Sequence, residues 1–458
     1  MKKIYLFCMV CIIAFQFHLN ALAEEEQILS IAGQDIYQYE AIQQFQGAHP
    51  TITVQETPIA STYDDMIRLM ITGDSTADIY VIYNTQYGTL DAIKKKGLFA
   101  DLSTSEHIQN HIAAMPQRIQ DTFTKDGQIC AYPIDVILGN AFFIDYDLIN
   151  EVGLDDQIIP RSFFDLLKLD DTWNEIYEEK FPEYEAVTGL TTIDPEWPYM
   201  EMGIDMYMDY CMLTDGKVQF DTPLFHQLMD AILKKHVKIS SFAQNQLYEL
   251  NNEEALIFAQ YKCDASSMFM RWSRQALPAL SLTEDGSPMA PISFACLVVN
   301  PYSSNQDDAK ELISYFAKYP NPYANCVLSL DAEPIEDPNW ESYVEDWKKT
   351  KDDALRRLPD AYPDEKLDLE ITIDNAQWYL DHQEDFRYYV SPTALNSYRQ
   401  NILPFLFVRG NSIYDAPEIR TQIAEFLKQY KDGLLQIEQL MTQLDCVIQM
   451  RIAEGVEN

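Results

Sequence analysis

Basic side chains are scarce in this chain. Its 458 residues hold 33 Lys and Arg against 72 Asp and Glu, a formal net charge of −39. A field of that sign repels phosphate backbones and anionic lipid, so no nucleic-acid or acidic-membrane partner is expected. Solubility is the plainest reason for the acidity, and disfavour of anionic solutes is the weaker functional one. Long apolar runs are missing too. After residue 23 no stretch approaches 18 continuous apolar residues, which leaves no expected membrane span. Beyond residue 23 paired cysteines are absent: the six there, Cys130, Cys211, Cys263, Cys296, Cys326 and Cys446, form neither a C-x-x-C pair nor a zinc spacing. Burial as small apolar residues is the expectation for them, with one or two disulfides left open. There is also no G-x-S-x-G elbow, no G-x-x-x-x-G-K-[ST] loop and no G-x-G-x-x-G. No catalytic group, cofactor or metal site is expected.

What is present begins with an export signal. Lys2 and Lys3 precede a mostly apolar Ile4–Phe17, and Ala21-Leu22-Ala23 fits an A-x-A cleavage site, so residues 1–23 read as a signal peptide. The remainder exceeds what one hydrophobic core holds, and at least two lobes are expected. From Gln27 the pattern is strand, helix, strand, helix, strand. Ile28, Leu29 and Ile31 are closed by Gly33. Ile52, Thr53 and Val54 are β-branched. Ile79 to Tyr83 is a nearly continuous apolar run, as a strand buried on both faces of a parallel sheet requires. Between them, Ile36, Tyr39, Ile42 and Phe45 line one helical face, and Met66, Leu69 and Met70 another.

The runs AIQQFQGAHPTITVQ, YDDMIRLMITGDSTADIYVI and LFADLS resemble the extracellular solute-binding proteins of ABC importers, family 1, the maltose-binding-protein-like group. AYPIDV, IDYDLINEVGL, PRSFFDLL, DGKVQFDTPLFHQLMDAI and VVNPYSSNQDDAKELISYFAK follow in the family's order, so the resemblance covers about Gln27 to Lys318. It implies an α/β fold of two lobes, type II, here with a helical C-terminal extension. It places residues 24–130 and 273–318 in lobe one, and 131–272 and 319–458 in lobe two. It implies a strand at 128–137 crossing between lobes, a return at 292–300, and a cleft that closes by hinge motion over a small solute. The implied partners are that solute, an oligosaccharide first and a polyamine second, and an ABC transporter permease. A monomer, periplasmic or extracellular, is expected. Cys8 and Cys11 lack the family's lipobox pattern, so the resemblance brings no lipid anchor. A secreted glycoside hydrolase or a sensor is the alternative, because 72 acids hide any catalytic pair.

Along the chain, Leu90–Lys96 and Ser103–Met115 read as helices. His107 and His111 stand at i, i+4 on the second but lack the glutamate of H-E-x-x-H, so an exposed helix surface is expected of them. Asn140–Tyr146 reads as a strand separate from 128–137. Pro160–Leu169 opens a helix with Ser162 near its start. Asp194 to Tyr199 reads as a rigid loop bearing Trp197. Lys217–Phe220 reads as a strand, Glu253–Lys262 as a helix and Ala265–Met270 as a strand. Thr222 is expected to cap a helix from Pro223. Beyond residue 335 the period is helical, with stripes at Ile419, Ile423, Phe426, Leu427, Tyr430 and at Ile437, Leu440, Met441, Leu444, Val447, Ile448.

An α/β sheet binds ligand beyond the carboxyl ends of its strands. That rule, with the implied cleft, selects Tyr37, Tyr83, Tyr87, Trp197 and Trp272 as stacking rings. It selects Gln34, Asp35, Asn84, Gln86, Asp135 and Arg271 as polar partners. Sugars need both types, since their C–H faces pack on rings and their hydroxyls need hydrogen-bonding groups.

Overall fold

The structure is a computed structural model. It describes residues 27–33, 36–58, 63–72, 77–83, 89–146, 149–150, 153, 159–177, 179–180, 185–188, 196–233, 255–269, 274–408 and 417–453. The strands are β1 (Gln27–Ala32), β2 (Ile52–Thr57), β3 (Ile79–Tyr83), β4 (Thr124–Lys125), β5 (Gln128–Ile129), β6 (Tyr132–Asp145), β7 (Glu185–Thr188), β8 (Ala255–Asp264), β9 (Arg274–Ala276), β10 (Ala290–Val299), β11 (Ile335–Glu336), β12 (Tyr388–Val390) and β13 (Leu406–Val408). Nine of them form one sheet in the order β2-β1-β3-β10-β6-β8-β7, with β13 on β10 and β9 on β6.

The opening unit folds as its pattern requires. β1 runs parallel to β2 and to β3. Ile79, Tyr80, Val81 and Ile82 are buried, so β3 is covered on both faces. Gly33 ends β1 where any Cβ would collide with the Val81 side chain, which makes glycine a packing requirement there. Helices Glu40–Ala48 and Tyr63–Thr72 turn Ile42, Phe45, Met66 and Met70 inward.

Two apolar cores are built around the sheet. The first joins β1, β2, β3 and β10 to the helices Glu106–Ala113, Gln306–Lys318, Pro322–Leu328 and Pro392–Asn401. The second joins the helices Phe163–Ile176, Glu196–Asp215 and Pro223–Leu233 to the C-terminal pair Pro417–Lys431 and Ile437–Ala453. β6 runs from one to the other: Tyr132, Ile134, Val136 and Leu138 belong to the first core, Phe142 and Ile144 to the second. Of the C-terminal stripes, Ile419, Ile423, Leu427, Leu440, Leu444 and Ile448 are all buried in the second core. Arg420 pairs there with Asp205, whose side chain is only 2% exposed.

Several local expectations are corrected. The segments 128–137 and 140–146 are not two strands, because β6 is continuous over 14 residues and only Gln128–Ile129 stands apart, paired with β4. Pairing with β10 on one side and β8 on the other carries it past Gly139. Of the segment 253–262, the described residues 255–262 are not helical: they lie in β8, held between β6 and β7. Its apolar residues fit both periods over so short a run, and strand pairing decides. Of the Ala265–Met270 segment, the described residues 265–269 form no strand but lead into a 3-10 turn, Ser267–Phe269. There the Asp264 carboxylate accepts from the Ser267 N–H and the Ser266 hydroxyl. Lys217–Phe220 joins no strand, since the Phe220 and Asp221 N–H groups donate to the Asp445 carboxylate of the last helix. Trp197 is not in a loop. It sits in the first turn of Glu196–Asp215, where Pro198 is tolerated because no intrahelical bond is lost.

The caps behave as read. Ser162 and Asp165 form a capping box, and the Thr222 hydroxyl accepts from Phe225 N–H. The cysteines carry no disulfide among them: Cys130, Cys211, Cys263, Cys296 and Cys326 are buried thiols and Cys446 is exposed.

Candidate functional site

Three strands carry a row of side chains across the half-exposed face of the sheet. Ala295 of β10 lies opposite Tyr83 of β3 on one side and Asp135 of β6 on the other. Directly opposed residues share a face, so Tyr83 and Asp135 flank a small alanine at a separation of two strand spacings, roughly 10 Å. The next row holds Ser293 of β10, Ile137 of β6 and Asp264 of β8. Along β6 the alternation is clean. Ile134, Val136 and Leu138 are buried beneath, while Asp135 and Ile137 remain half-buried above. Alanine at 295 leaves a shallow floor between a ring and two carboxylates.

The electrostatics of that floor are uneven. Burial pushes the Asp135 carboxyl up from its ordinary value, the nearby Asp264 charge adds to this, and a 2.8 Å bond from Val136 N–H opposes it. At Asp264 burial also acts upward, but bonds from Ser267 and Ser266 outweigh it and hold the carboxyl below its usual range. The floor therefore pairs a carboxylate that ionises early with one that resists ionisation. Such a pair accepts hydrogen bonds from hydroxyls or from an ammonium group.

The candidates chosen from sequence fare unequally. Tyr83 and Asp135 come together on this face. Tyr37 stands at the edge strand β2, where its hydroxyl donates to Val54 C=O at 3.1 Å and accepts from Glu56 N–H at 2.9 Å. The residue as a whole stays 46% exposed. Gln34, Asp35, Asn84, Gln86, Tyr87, Arg271 and Trp272 lie outside the described residues, as does the Trp197 side chain. Sequence reasoning missed Ser293 and Asp264. Ser293 carried a signal, as the polar interruption of the apolar run APISFACLVV. Asp264 carried none, because its strand was read as a helix and register cannot be read from one sequence.

The His pair is also corrected. His107 is exposed, but His111 is half-buried where Glu106–Ala113 meets β6. Its Nδ1 bonds the Tyr132 hydroxyl and its Nε2 the Asn325 side-chain oxygen at 3.0 Å. Burial holds the His111 pKa below its ordinary value. Both ring nitrogens are held by protein groups, and the Tyr132 hydroxyl that meets Nδ1 also donates to Phe316 C=O at 3.3 Å, so this histidine is structural. Among the described residues no group of three or more His, Cys, Asp or Glu could hold a metal ion.

A cavity of about 30 Å³ lies where the two cores meet, lined by Leu138, Phe142, Met206, Met268, Met289 and Ile402 among others. Its lining is mixed, with Asp209 beside the apolar side chains, and it has room for a water molecule or two, not for a sugar. The sheet face, not this cavity, is the candidate site.

The profile of the family described as bacterial extracellular solute-binding protein matches residues 30–320. A search of curated protein sequences returned no match. Among solved structures, the chain is similar to the binding protein MsmE of Bacillus subtilis subsp. subtilis strain 168 in an open conformation. The TM-score is 0.57 at 12% identity, covering 94% of this chain and 98% of that one. It is similar to the cyclic alpha-maltosyl-1,6-maltose binding protein of Arthrobacter globiformis, with a TM-score of 0.51 at 12% identity over 94% and 99% of the two chains. It is also similar to maltose-bound MalE3 of T. maritima, with a TM-score of 0.51 at 13% identity over 92% and 99%. At such identities the likeness speaks for the fold. Among the described residues no helix is long and apolar enough to cross a membrane. The family match spans well over half the sequence, and the fold it predicts is the one built here around two cores and one shared sheet: the chain belongs to the bacterial extracellular solute-binding proteins and has their two-lobed, type II α/β fold.

Proposed function

We propose that this protein captures a neutral oligosaccharide between its lobes and hands it to an ABC transporter permease without chemical change. The observation that carries the reading is the row Tyr83–Ala295–Asp135, which sets a ring and a carboxylate on one face with Ser293 and Asp264 in the next row. A sugar ring can lie over the alanine, with hydroxyls reaching the carboxylates and a C–H face on Tyr83. The related chains named above include two whose descriptions give maltose-type sugars. Tyr37, Trp197, Tyr87, Trp272, Gln34, Asp35, Asn84, Gln86 and Arg271 complete the proposed cleft.

In this reading the protein is an exported monomer. Its lobes take residues 24–130 with 273–318 and 131–272 with 319–458, and the helices Pro322–Leu328 and Pro392–Asn401 lend apolar residues to the first core. β6 and β10 are the elements about which the lobes close. The second reading, a polyamine, is favoured by one observation, the two carboxylates Asp135 and Asp264 in adjacent rows. Calorimetric titration with a series of malto- and xylo-oligosaccharides and with spermidine separates the two. Binding of an oligosaccharide, weakened about tenfold or more by Asp135→Asn, supports the proposal. Binding of spermidine and of no sugar overturns it.

A further inference from the structure

Past residue 320, where the family match ends, the chain builds a separate appendage. Its neck is the two-stranded sheet β11–β12. Across that neck Asp337 N–H donates to Arg387 C=O at 2.8 Å, and the Arg387 guanidinium pairs with Glu336 at 2.7 Å. Between the strands run the helices Trp340–Arg357 and Pro363–Asp381. They hold each other through rings of their own: Trp347 stacks on Tyr379 at 4.8 Å, and Phe386 packs edge-on against both. The appendage thus begins and ends at one point and carries its own small core.

The helix Pro363–Asp381 has two apolar stripes. Leu369 and Ala376 are buried on one side. Leu367 and Ile371, at i and i+4, lie on the opposite side of the helix at 3.6 residues per turn, and Trp378 at i+11 continues the row while its ring packs on Tyr379, His382 and Phe386 of the appendage itself. They are 62%, 49% and 42% exposed. Asp374 lies within this outer stripe, and the exposed Asp368, Glu370 and Asp381 border it. Lys366 is the helix's one basic residue against six acids. An apolar stripe in an acidic border has a definite complement. A second copy would set acid against acid, and an anionic lipid surface would do the same.

We propose that the outer stripe of Pro363–Asp381 is a docking surface for a basic amphipathic helix of a partner protein, one carrying apolar residues at i, i+3 and i+4 with Lys or Arg on their flanks. The apolar residues supply the contact and the charge match selects the partner. The surface shares no residue with the proposed solute site, so variants of one leave the other's side chains in place.

The test is calorimetric titration of the full chain with an 18-residue helical peptide bearing Leu on one face and Lys on its flanks, beside a control peptide with Glu at the flanking positions. The lysine peptide is expected to bind and the glutamate peptide not. Leu367→Ser with Ile371→Ser should weaken binding about tenfold or more, because a few central apolar contacts dominate such interfaces. Asp368→Asn, Glu370→Gln and Asp374→Asn together should weaken it and flatten its dependence on salt. These side chains are exposed, so the melting temperature should hold and a folding loss would show. Equal binding by the serine variant, or by the glutamate peptide, overturns the proposal. So does light scattering that shows self-association lost in the serine variant, and so does vesicle binding that needs the stripe.

Discussion

The two cores are made of different materials. The first is sheet-centred and rich in β-branched residues, with Ile31, Val54, Ile79, Val81, Ile82, Ile292, Val298 and Val299 buried in register. The second is helix-centred and rich in methionine, with Met200, Met202, Met206, Met208, Met229, Met289 and Met441 buried. β-branched side chains are stiff at χ1 and fit one arrangement, whereas methionine bends to fill irregular gaps. The contrast implies that the first core specifies its geometry side chain by side chain. The second tolerates apolar exchange and depends more on its few polar ties.

Four experiments would break or sharpen that contrast. The largest effect is expected from Arg420→Met, which removes the ion-pair partner of the buried Asp205 carboxylate of the second core. The loss should be about 3–5 kcal/mol by urea unfolding. A loss below 1 kcal/mol would mean that the ion pair does not hold the C-terminal helices down. Ile82→Ala in β3 should follow at about 2–5 kcal/mol, since the strand is buried on both faces and cannot collapse around the cavity. The third effect depends on pH. Burial keeps the His111 pKa below its unfolded value of about 6.5, so the unfolded chain takes up the proton first. Stability should then be complete above that pH and fall as pH drops through it. The drop between about pH 6.5 and 5 should shrink in His111→Gln. Parallel curves for the two proteins would show that folding leaves the histidine's pKa unshifted. The smallest effect is expected from Met202→Leu, below about 1.5 kcal/mol. A loss as large as that of Ile82→Ala would erase the distinction between the cores.

The unevenness of the sequence reading has the same physical source. β1, β2 and β3 were legible because each is a short β-branched run closed by turn residues, and both faces of β3 are apolar. The helix starts at Ser162 and Thr222 and the stripes at Ile419–Tyr430 and Ile437–Ile448 were legible because their signals are local. β8 was not, since ALIFAQYKCD fits a helix or a strand until β6 and β7 pair with it. Trp197 was misplaced because Asp194-Pro195 and Pro198 read as loop punctuation, while a proline in the first helical turn costs no bond. Of the candidate site, Tyr83 and Asp135 were reached through strand ends and the family's crossover strand. Their shared face with Asp264 and Ser293 depends on the register of four strands distant in sequence.

By itself the sequence determined the three-strand opening unit, the helix caps, the apolar stripes of the last two helices and the family. All of these rest on contacts within a few residues or on a linear pattern. Only the tertiary structure decided that β6 runs unbroken through both cores, that His111 is tied between Tyr132 and Asn325, and that Asp264 lies a row away from Asp135. Those outcomes depend on pairing between segments far apart in the chain. The free energy that selects such a register is shared among all the strands, so no single stretch of sequence carries it.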